Sequence, residues 1–124
     1  MGHDPLAEVI DEPLTVDAAI LEGLREFRAA PKLEALPGVN PVAERERLSN
    51  VLNELADRLA DGITVNPSKL WVMRHFQHSL KAVQYEDTEG REHFGMELEK
   101  LMDILGIDSS DGLLSIVSTS RWLI

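Results

Sequence analysis

The chain contains no cysteine. Disulfides, thiolate nucleophiles, cysteine-bound zinc and iron–sulfur clusters are excluded, and a reducing, cytoplasmic compartment is the expectation. Aromatic residues are scarce, with two Trp, one Tyr and three Phe in 124 residues, so the core has to be built from Leu, Val, Ile, Ala and Met. No apolar run reaches the roughly 20 residues of a membrane-spanning helix. The acidic opening MGHDPLAEVIDEP has no basic region ahead of an apolar one, so no secretory signal is expected. Clusters of Lys and Arg are missing as well, which sets aside nucleic acid and anionic membranes as partners. Glycine-rich nucleotide loops and the Gly-x-Ser-x-Gly elbow do not occur, and no cofactor is implied.

Acidity and helical periodicity are what the chain does have. The formal net charge is −10, with 44% hydrophobic and 27% charged residues, a globular composition. Residues 1–62 and 63–124 are both acidic, so the partner expected is another protein, one of basic charge. The length suits one domain, spanning residues 1–124.

Apolar residues recur at helical spacing, and three Asp-Pro or Asn-Pro pairs mark helix starts. Asp4-Pro5 opens a short helix through Leu6, Val9 and Ile10. Thr15 is placed to cap a second, with Val16, Ile20, Leu24 and Phe27 on one face, and Pro31 ends it. Gly23 falls on that apolar face, where it costs about 1 kcal/mol against Ala, so close approach of another helix is its expected use. The connector from Pro31 to Asn40 carries Leu33, Leu36 and Val39 and is expected to lie against the core.

Asn40-Pro41 starts a third helix, striped by Leu48, Leu52, Leu55, Ala56 and Leu59, with Gly62 as a left-handed stop. Asn66-Pro67 starts a fourth, to about Gln84, with Val72, Met73, Phe76, Leu80 and Val83 facing inward. Asp87 or Thr88 starts the last long helix, whose seam is Phe94, Leu98, Leu101, Met102 and Leu105. Gly106 and Ile107 close it. The tail is expected to form a short helix over about 110–117, with an extended end as the alternative.

The expected fold is all-α: a compact antiparallel bundle of four main helices, with short helices at the N-terminus and in the tail. The best-specified pair is the helix over 67–84 with the helix over 88–105, joined by a few residues and expected to lie antiparallel.

Three of four histidines fall between Arg74 and Leu101. On helices this cluster divides. Trp71, His75 and His78 share the side of their helix opposite its core stripe, while His93 lies on the next helix between Glu89 and Glu97, both expected in solvent. A metal-dependent or acid–base enzyme would use His75 and His78 with nearby carboxylates. Against it, neither Glu-x-x-His nor His-Glu-x-x-His occurs. DSSDG, from Asp108 to Gly112, does not fit a calcium loop, since a twelve-residue count from Asp108 places Leu113 where Gly is needed and Thr119 where Glu is needed.

The candidate partner-binding patch is therefore Trp71, His75 and His78, with Trp71 either covered by another segment, such as residues 121–124, or presented to a partner. An immunity-type inhibitor of a basic bacterial toxin is the most concrete form of that expectation. A homodimer burying the Trp71 face is a further option.

Thr88-Glu89 with Arg91-Glu92, followed by MDILGIDSSDGLL, resembles the C-terminal half of a family of small bacterial all-helical domains of unknown function, over residues 87–114. The resemblance implies a compact helical domain with no established activity.

Overall fold

The computed structural model describes residues 4–34 and 41–114. A short 3₁₀ turn (Pro5–Glu8) is followed by an extended stretch and four helices: α1 (Ala18–Ala29), α2 (Pro41–Gly62), α3 (Lys69–Ala82) and α4 (Thr88–Leu105). The described residues contain no strand, only an isolated antiparallel bridge between Pro13 and Ser68. The all-α expectation holds.

Each start has a local cause. Asp4 accepts from the Leu6 amide at 3.0 Å and Pro5 leads the first turn. Asp17, not Thr15, caps α1 by accepting from the Ile20 amide at 3.0 Å. Ser68, not Asn66, caps α3, its Oγ taking the Trp71 amide at 3.1 Å. In both cases the helix starts at the residue whose side chain reaches the third amide of the first turn. Asp87 does the same for α4, 2.7 Å from the Gly90 amide. Asn40 lies outside the described residues. Gly106, at φ +74°, ends α4, and the Ile107 amide returns to the Met102 carbonyl at 2.9 Å.

The apolar stripes form one core. Leu48, Leu52, Leu55 and Leu59 of α2 are fully buried with Ile63, Val72, Met73, Phe76, Phe94, Leu98 and Leu101. Burying a side chain of this size contributes roughly 1.5–3 kcal/mol. α2 is central, since it packs closely on α1, α3 and α4, while α1 also packs on α4. The expected pairing of α3 with α4 through their apolar faces is not among these close contacts. α3 packs on α2, and α4 packs on both α1 and α2.

α2 and α3 run antiparallel. Gly62 at the end of α2 meets Trp71 at the start of α3, and Arg47 near the start of α2 pairs with Glu86 beyond the end of α3 at 2.9 Å. Gly23 is a contact glycine, as expected. A Cβ there would lie 2.7 Å from Cγ2 of Ile104 on α4.

The N-terminal arm was not foreseen. It runs beside the start of α3, where the Leu14 amide donates to the Pro67 carbonyl and the Lys69 amide to the Glu12 carbonyl, both at 2.8 Å. Asp11 takes the Leu70 amide at 2.9 Å, and the Gln77 amide nitrogen donates to Asp4 at 3.0 Å. Ile10 is exposed rather than packed. Its amide and the buried Lys69 ammonium both donate to Asp111 Oδ2, at 2.8 and 2.7 Å. These two bonds hold the Asp111 carboxyl below the usual carboxylate range, the Lys69 bond contributing most. DSSDG is thus a turn whose aspartate ties the arm to α3. Asp111 and Gly112 are left-handed, at φ +52° and +93°, so no helix begins at 110. Residues 115–117 of the expected tail helix lie outside the described residues, as do Leu36 and Val39 of the connector. Leu33 is buried, as expected.

Candidate partner-binding face

Trp71, His75 and His78 fall on successive turns of α3. The indole of Trp71 lies over Gly62, where a Cβ would approach its Cζ2 to 2.5 Å and its Cη2 to 2.9 Å. Gly62 therefore serves close packing rather than the left-handed stop expected of it, and α2 runs through it. The Trp71 and His75 rings meet edge to face, centroids 4.5 Å apart at 66°.

His75 is tied to α2. Arg58 Nε donates to His75 Nδ1 at 3.2 Å, and Arg58 Nη2 donates to the buried Ser79 Oγ at 3.0 Å. A ring that accepts at Nδ1 is not doubly protonated. Burial, then the Arg58 charge, then His78, push the His75 pKa below the usual imidazole value.

The patch is thus only partly free. Trp71 and His75 are half-buried and His78 is exposed. Of the two expectations for Trp71, cover by another segment or presentation to a partner, part of the first is met from an unexpected source, since the C-terminal half of α2 lies along this edge of α3. Trp71 is backed by Gly62, within α2. Residues 121–124, the other candidate cover, lie outside the described residues.

The histidines do not make a metal centre among the described residues, where no group of three or more His, Asp or Glu side chains is placed to hold an ion. Of the two carboxylates beside His93, Glu89 is exposed as expected and Glu97 is not. Glu97 is buried, with 6% of its surface exposed. Its Oε2 accepts from the Leu33 amide at 3.3 Å and from Lys100 Nζ at 3.1 Å. Leu33 adopts φ +60°, a left-handed corner whose amide would otherwise be buried without an acceptor.

One feature of the face was legible in the sequence and is averaged away when charge is summed by halves. Residues 62–85 contain no Asp or Glu, yet hold Lys69, Arg74 and Lys81. All 22 acidic residues lie elsewhere, against nine Lys and Arg. Arg74, His78 and Lys81 sit at helical spacing on the exposed side of α3, and Tyr85, 88% exposed, follows one turn later. Lys69 is buried against Asp111, but Arg58, Arg74 and Lys81 make no ion pair among the described residues.

Residues 15–117 match the family model described as Domain of unknown function (DUF4844). The chain belongs to this family. Most of the domain is covered, including all four helices and the whole α3 face, and the resemblance over residues 87–114 falls within it. Comparison with curated proteins and with solved structures finds no match. No helix among the described residues is long and apolar enough to cross a membrane.

Proposed function

We propose that this DUF4844 domain acts by binding another protein through the face around Trp71, His75 and His78. Trp71 carries the reading. It is a large aromatic that is neither sunk in the core nor loose on the surface, with Gly62 behind it and His75 against its edge. Aromatics held rigid and half-exposed are efficient interface anchors, because little side-chain entropy is lost on binding. The missing cysteines suit a reducing cytoplasm. A second reading, an immunity-type inhibitor of a basic bacterial toxin, draws support from the net charge of −10. Such a partner would meet the acidic remainder of the surface more readily than α3.

The test is affinity capture from the native host at low and high salt, with the unaltered protein and Trp71→Ala. A partner enriched by the first and lost by the second supports the reading. No enriched partner, or one indifferent to Trp71→Ala, defeats it. Sedimentation of the purified protein checks whether the occupant is a second copy.

A further inference from the structure

We infer that the exposed side of α3 is a docking strip for an acidic segment of a partner protein. The inference rests on the protein-binding reading above and adds the chemistry of the partner.

Three cations argue for it. Arg74 and Lys81 project from α3 without an ion pair among the described residues, in a chain that carries ten surplus negative charges. Arg58 reaches the opposite edge of the strip from α2 and donates to neutral acceptors, His75 and Ser79, without an ion pair among the described residues. Carboxylates are available throughout the surface, yet among the described residues none forms an ion pair with these groups. The neutral His75 anchors Arg58 without cancelling its charge.

Geometry limits the occupant. From Trp71 to Ala82 a helix rises about 16 Å. Along the Gln77 edge the N-terminal arm brings Asp4 and Asp11 against α3. The acid-free strip is therefore short and bordered by negative charge, within the Debye length of about 8–10 Å at ordinary salt. A nucleic acid or an anionic membrane extends past such a strip into repulsion. A protein segment does not have to. It can place carboxylates on Arg74, His78 and Lys81 and an apolar side chain on the open edge of Trp71. A second copy docking α3 to α3 would set cation against cation, so the occupant is not the same face of another chain.

The test uses the full chain with Trp122→Phe, so that indole emission reports Trp71. Three probes are titrated at low salt: a capped peptide of about four helical turns with Glu one turn apart around a central Leu, its twin with Lys in place of every Glu, and a single-stranded oligo-dT of similar length. The acidic peptide should bind and the other two should not. Its affinity should fall by about tenfold or more in Arg74→Glu/Lys81→Glu, with circular dichroism unchanged. Binding of the Lys twin alone would overturn the acidic-partner inference while leaving protein binding at Trp71 standing. No binding of either peptide would count against both. Equal binding of oligo-dT, or indifference of the acidic peptide to the double charge reversal, would also overturn the inference.

Discussion

Gly23→Ala should destabilise the protein even though it replaces a poor helix former with the best one. In an unobstructed helix the substitution would add about 1 kcal/mol. Here the new methyl would lie 2.7 Å from Ile104 Cγ2, well inside van der Waals contact. Cγ2 is attached directly to a β-branched carbon, so it cannot withdraw without a change of χ1 or a shift of α4. Overpacking of this kind costs about 1–3 kcal/mol. The two effects leave a net loss of roughly 0–2 kcal/mol, readable as a lower urea midpoint at unchanged slope. Ile104→Ala removes the obstructing methyl. In that background Gly23→Ala should become stabilising by about 1 kcal/mol, giving a coupling of about 1–3 kcal/mol across the cycle. Equal effects in the two backgrounds, or stabilisation by Gly23→Ala alone, would refute the close α1–α4 approach.

Leu52→Ala, at a fully buried position of the central helix, should cost about 2–5 kcal/mol in urea unfolding, and an effect comparable to a surface change would displace α2 from the centre. Glu97→Ala should cost about 1–3 kcal/mol by orphaning the Leu33 amide, where a solvated carboxylate would give almost nothing. The depressed pKa of His75 means the fold favours the neutral ring, so its contribution is present above the free imidazole value and is lost as pH falls through the lowered one; His75→Gln, which keeps an acceptor for Arg58, should flatten that part of a stability–pH curve. Glu44 runs the opposite way. Burial, then Asp87 and Glu86, raise its pKa, so stability is lost as pH rises through the raised value, and Glu44→Gln should overtake the unaltered protein in that direction.

Periodicity made the fold class and most of the core legible, because Leu48, Leu52, Phe76, Phe94 and Leu98 report burial through spacing alone. Gly23 was legible for the same reason, since a glycine on an apolar stripe needs a packing cause. Helix order was a poorer guide to helix neighbours. α3 and α4 are adjacent in the chain, but which backbone an apolar face meets depends on all the stripes at once, and that of α2 meets α1, α3 and α4. That arrangement half-covers Trp71 and His75, and a helical wheel drawn for α3 alone cannot show it. The arm along α3 is held by backbone amides of Leu14, Lys69 and Leu70, which leave no side-chain period. Glu97 looked solvated because its burial answers the left-handed Leu33, sixty-four residues away and unmarked by glycine.

The most direct test of the account is to map, by amide chemical shifts on the isotope-labelled full chain, where the acidic peptide lands. Shifts should concentrate at residues 70–85 and around Arg58 and Gly62, and should fade as salt is raised. Shifts centred on α1 or the outer side of α4, with α3 silent, would contradict it.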